Sequence, residues 1–99
     1  MTYWIVRLER GGPWDWPRDM REQDGWEQHA RFMDGLVDDG FIVLGGPLDG
    51  GRETLHVVAA PSEEAVLARF AEDNWARNGM LTPKRIERWS ILLDGRSTS

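Results

Sequence analysis

The chain has 99 residues, 17 Asp and Glu against 12 Lys and Arg, a formal net charge of −5, six tryptophans and no cysteine. A chain of this length is one domain that buries only about 60 to 65% of the surface it exposes when unfolded, so its core is thin. Basic residues scattered singly among acids exclude the footprint of a nucleic-acid binder, the lack of cysteine excludes disulfide and thiol chemistry, and no apolar run approaches the ~20 residues of a membrane span.

The N-terminus goes straight into YWIVRLER, too short and too charged for a signal peptide, and a cytoplasmic location is the expectation. Tyr3 to Glu9 alternates Trp4, Val6 and Leu8 against Tyr3, Ile5 and Arg7, which predicts a first strand. Gly11 to Pro17, GGPWDWP, breaks regular structure and presents two large rings. A helix follows, starting near Asp19 or near Asp24, because each places a capping acceptor three residues before a carboxylate; the earlier start is favoured, with Gly25 tolerated inside the helix. Trp26, Ala30, Met33, Leu36 and Val37 form its apolar stripe, His29 borders that stripe, and Gly40 ends the helix. Phe41 to Leu44 predicts a short strand covered on both faces, GGPLDGG a turn, and Thr54 to Ala60 a third strand, which together make a hairpin. Ser62 caps a second helix whose stripe is Val66, Leu67, Phe70 and Ala71 and which ends near Asp73. Ile86 to Leu93 predicts the fourth strand, and residues 95–99 a fraying tail after a single domain over residues 1–94.

The order β-α-β-β-α-β converts, through short connections and right-handed crossovers, into an α+β ferredoxin-like antiparallel sheet of strand order 4-1-3-2 with both helices on one face. Strands one and four carry apolar residues on both sides, so the face without helices calls for a cover. Two copies packed sheet to sheet supply it, and a homodimer through the open face, a dimeric α+β barrel, is expected. The topology also brings GGPWDWP, the start of the first helix, GGPLDGG and the end of the second helix to one end of the fold. His29 and Asp73 are thereby expected as neighbours.

The segments WxxHxxFMDxLVxxGF (from Trp26), GGPL, SEEAV and DNWxxxGML, in this order and spacing, resemble the YciI-like, or YCII-related, family over nearly the whole chain. The resemblance implies a dimeric α+β barrel and an active-site pair of a helix-one histidine and the aspartate of an Asp-Pro-aromatic segment. These fall on His29 and Asp73, with Trp75 as the aromatic residue and Asn74 where the family has proline. Trp14, Trp16, Trp26, Gly46, Pro47 and Trp75 are then expected around a small aromatic or other flat ligand; for Trp14, Trp16 and Trp75, sealing a dimer is an equal alternative.

A carboxylate beside an imidazole fixes its tautomer and leaves the other nitrogen to exchange protons with a substrate, so the pair suits acid/base chemistry. No serine, cysteine or lysine is placed as a nucleophile, which favours elimination or isomerisation (a lyase or isomerase) with hydrolysis as the alternative. His56 alternates with Leu55 and Val57 and is expected on the opposite sheet face, toward the barrel, in a packing role. Asp34, Asp38 and Asp39 have no convergent spacing with histidine, and neither metal nor cofactor is expected. The competing class is a non-catalytic ligand-binding or interaction domain of the same fold, without turnover to lose when His29 is removed.

Overall fold

β1 (Tyr3–Arg10) is the centre of the molecule in the computed structural model, which describes residues 2–96. The other elements are a 3-10 turn (Met20–Glu22), α1 (Trp26–Asp38), β2 (Ile42–Pro47), β3 (Glu53–Ala59), α2 (Glu63–Phe70), α3 (Asn74–Arg77) and β4 (Leu81–Trp89). The strands make one antiparallel sheet, β2-β3-β1-β4, which is the expected ferredoxin-like order. Alternation along β1 sends Val6 and Leu8 into the core with Val58, Leu36, Val66 and Phe70, and turns Ile5 and Arg7 to the other face. Among the described residues no helix is long and apolar enough to cross a membrane.

The first helix begins at Trp26 and not near Asp19. Gly25 adopts φ +79°, a conformation that ends any helix arriving from upstream. Buried Gln23 instead folds back on the preceding loop, accepting from the Asp15 amide at 2.9 Å and donating to the carbonyls of Asp15 and Arg18. At the other end Gly40, also at φ +79°, closes a Schellman motif: its amide donates to Val37 and the Phe41 amide to Leu36, both at 3.0 Å.

Three further elements have boundaries that differ from the sequence expectation. Gly45, Gly46 and Pro47 belong to β2, and the turn lies beyond them, closed by the Gly51 amide on the Leu48 carbonyl. β4 starts at Leu81 and runs through Pro83, which an edge strand accommodates at a bulge where Lys84 is the extra residue. It ends at Trp89, leaving Leu92 and Leu93 exposed. α2, capped by Ser62 as expected, stops at Phe70, and Leu67 on its stripe is exposed. Asp73 is not at the end of that helix but is the N-cap of α3, accepting from the Trp75 amide at 3.3 Å.

The sheet face without helices is divided. Ile5, Leu44, Leu55, Val57 and Trp89 make a mainly apolar half, interrupted by Glu87 opposite Ile5, which pairs with Arg85 at 2.9 Å, and Ile91 and Leu93 of the C-terminal segment border a shallow pocket with Leu44 and Val57. Arg7, Glu9, Glu53 and Lys84 make a charged half, with Lys84 at 2.7 Å and Arg7 at 3.3 Å from Glu53. In the tail, Arg96 pairs with Asp94, and residues 97–99 lie outside the described residues.

Candidate active site

The start of α1 is tied to the 73–75 turn by two hydrogen bonds. Trp75 Nε1 donates to the Asp24 carbonyl at 2.8 Å and Asn74 Nδ2 to the Gly25 carbonyl at 3.1 Å. Gly25 permits this approach, since a Cβ there would stand 2.6 Å from Asn74 Nδ2. Where the family resemblance has proline, this chain therefore has a side chain that fastens the turn to the helix.

That fastening sets His29, one turn into α1, against Asp73. The imidazole Nδ1 is 2.9 Å from Oδ1 and 2.8 Å from Oδ2 of the carboxylate, and both side chains are buried. With the carboxylate accepting, Nδ1 carries the hydrogen and Nε2 is the nitrogen left for other partners. The ring is also held from its faces: it stacks on Trp75 with 3.9 Å between centroids and 11° between planes, and Trp26 stands 5.9 Å away. Orientation and tautomer are thus both fixed by neighbours, the condition for a positioned acid or base.

His29 lines a cleft of about 590 Å³ between α1 and the β2–β3 side of the sheet. This is the size of a small-molecule site, for which roughly 300 to 1,000 Å³ is usual. The α1 wall is Trp26, Ala30, Met33, Asp34 and Val37, so much of the stripe read as core faces the cleft; this is why Val37 is 53% exposed. The sheet wall includes Ile42, Gly45, Gly46, Pro47, Thr54 and His56, with Arg10 at the end of β1.

Of the residues expected around a ligand, Trp26, Gly46, Pro47 and Trp75 line this cleft. Trp14 and Trp16 do not. Trp14 is buried behind Trp75 in an edge contact at 5.2 Å, and Trp16 is exposed beside Arg52. His56 is placed differently from its expectation. It lies on the helix-facing side of β3 with Thr54 and Val58, edge-on to Phe70 at 5.5 Å, and lines the same cleft as His29. Burial, with His29 adding to it, pushes its basicity down to about 4. Gly45 is its neighbour across the sheet: a Cβ there would come within 2.5 Å of His56 Cδ2, so the bare backbone makes room for the ring.

Arg10, Thr54 and His56 line the cleft without being singled out by the sequence as site residues. The available signal was on β3, where polar residues two apart share one face of an otherwise apolar strand. Among the described residues no group of three or more His, Asp or Glu is placed to hold a metal ion.

No family model matches the chain, and no curated protein sequence matches it either. Among solved structures it is similar to 5-chloro-2-hydroxyhydroquinone dehydrochlorinase (TftG) from Burkholderia phenoliruptrix AC1100, in complex with 2,5-dihydroxybenzoquinone. The TM-score is 0.64 at 22% identity, over 91% of this chain and 94% of that one. The likeness shows the fold: the two chains share the ferredoxin-like α+β architecture.

Proposed function

We propose that the chain is a single YciI-like (YCII-related) domain over residues 1–94, a cytoplasmic enzyme that uses its own side chains for acid/base chemistry on a small organic molecule. His29 is the general acid/base and Asp73 its orienting partner. The observation that carries this reading is the buried contact of His29 Nδ1 with both oxygens of Asp73 on the wall of the cleft. In the forward step Nε2 accepts a proton from substrate, and the electron pair left behind either expels a leaving group or is reprotonated at another atom. The first outcome is elimination, the second isomerisation. The fold neighbour is by name a dehydrochlorinase, and loss of hydrogen chloride is an elimination of this kind; that support is analogy of fold. Trp26, Gly46, Pro47 and Trp75 form walls of the substrate site. The apolar half of the open sheet face is the proposed homodimer contact.

The test is solvent deuterium exchange into a panel of hydroxylated aromatics and enolisable ketones, followed by NMR. The wild type is expected to catalyse exchange in at least one member, and His29→Ala to lose about 100-fold or more of that rate. Equal exchange by the two proteins overturns the catalytic role of His29.

A further inference from the structure

The His29–Asp73 pair leaves the opposite wall of the cleft unused, and that wall carries an unusual set of atoms. Thr54 and His56 stand two apart on β3 and so on one face; both line the cleft and are 7% and 6% exposed. Thr54 Oγ1 and His56 Nδ1 are buried without a hydrogen-bond partner, and so is Nε of Arg10, the third cleft-lining member. Among the described residues four buried side-chain atoms are in this position, and the fourth, Asn74 Oδ1, sits beside the turn that holds Asp73. A fold seldom leaves such groups unmatched, because each has given up water for nothing. Three of the four belong to side chains that line one cleft, opposite a positioned imidazole, and that shared wall points to a ligand that completes them as it settles against it.

The three groups are held in place. Arg10 Nη1 donates to the Gly51 carbonyl at 2.7 Å, and its guanidinium lies 4.5 Å above the Trp14 ring. The His56 ring rests on Gly45 and against the edge of Phe70. His56 is neutral at pH 7, so its imidazole offers one donor and one acceptor. Thr54 adds a hydroxyl that does either, and Arg10 a fixed positive charge. Asp34, on the α1 side, is the acidic member of the lining and repels a ligand anion from that side toward Arg10. Elsewhere Trp26, Met33 and Ile42 keep the cleft apolar.

We propose that Arg10, Thr54 and His56 form an oxygen-recognition wall, which selects a flat small molecule bearing at least two oxygens, one of them ionised, and presents its other side to His29. The ionised oxygen meets Arg10, and the second is hydrogen-bonded by Thr54 and His56. A phenolate or an enolate with a neighbouring hydroxyl or carbonyl has this pattern. The assignment rests on the reading of the cleft as the substrate site, and it gives that site its substrate class.

The experiment is calorimetric titration with 4-nitrocatechol, a flat ring with ionisable oxygens, and with its dimethyl ether, which has the same ring and none. The wild type is expected to bind the first and to bind the ether about tenfold more weakly or worse, since one charge-assisted hydrogen bond is worth about that factor. Thr54→Val and His56→Leu are each expected to weaken 4-nitrocatechol about tenfold while raising the Tm of the free protein, because each replaces an unmatched polar atom by carbon. A residue of merely structural importance lowers Tm instead. Arg10→Met is expected to lower the preference for the nitrocatechol over its ether. His29→Ala keeps binding within a few fold, which separates this wall from the acid/base reading: loss of turnover there leaves the wall intact. Wild-type affinity in Thr54→Val and His56→Leu, or a wild type that binds neither compound or prefers the ether, overturns the proposal.

Discussion

His29 and Trp75 lie face to face, 3.9 Å between centroids and 11° from parallel, and the indole that supports the imidazole is itself fixed by a hydrogen bond to the Asp24 carbonyl. The ring behind the base is therefore part of the core, 1% exposed, and not a mobile wall. Trp75→Ala is expected to destabilise the protein by about 3 to 5 kcal/mol, as for a large aromatic removed from a packed core. Trp16→Ala, at a ring 49% exposed, is expected to stay within about 0.5 kcal/mol. Urea denaturation of the two variants checks the contrast.

Asp73→Asn separates the two tasks of one side chain. Asparagine caps a helix about as well as aspartate, so the amide contact to Trp75 is retained and stability is expected to change by about 1 kcal/mol or less. The carboxamide no longer imposes the Nδ1–H tautomer on His29, and exchange catalysis is expected to fall by about 100-fold or more. The measurement is melting temperature beside exchange rate; a parallel loss of both identifies Asp73 as a structural residue only.

His56 makes the fold sensitive to mild acid. In the unfolded chain it takes up a proton near its ordinary value of 6.5, whereas in the folded protein burial first, and His29 second, hold it off until about 4. Between those values the unfolded state binds more protons, so stability falls as pH is lowered through that window. A shift of this size corresponds to about 3 kcal/mol lost by pH 4. His56→Leu has no such proton to take up, and its stability between pH 6.5 and 4 is expected to be flatter by that amount in a pH series of chemical denaturations. Identical slopes for the two proteins remove His56 as the cause.

The open sheet face predicts a dimer. Leu44 is 53% exposed in the single chain, so Leu44→Glu is expected to cost a monomer about 0.5 kcal/mol or less. In a dimer joined through this face the same change buries an unpaired charge. Light scattering is expected to give twice the mass of the chain for the wild type and one chain mass for Leu44→Glu. A wild type of one chain mass at micromolar concentration defeats the prediction.

The sheet order and the meeting of His29 with Asp73 were readable in the sequence, because both follow from the succession of elements and short connections. The details that failed depend on contacts across the sheet or between distant segments. Gly45 and Gly46 have turn composition, yet Gly45 is a glycine because the His56 ring occupies the space of its side chain. Asp73 looked like the last residue of a helix, an awkward place for an acid, and is the first cap of the next one. The face of His56 is not legible in the sequence because β3 is apolar on both, with Leu55 and Val57 on one side and Val58 on the other, so alternation alone does not choose. Gly25 looked like a tolerated defect in a longer helix, and its positive φ is what begins the helix that carries His29.

The unmatched atoms of Arg10, Thr54 and His56 also make this protein a reporter of its own ligand. A compound that completes them binds the folded chain and not the unfolded one, and at a hundredfold excess over its Kd adds about 2.7 kcal/mol to the unfolding free energy. For a domain of this size that is a rise in melting temperature of order ten degrees. A thermal scan of oxygenated metabolites therefore reaches the natural substrate without an assay for the reaction.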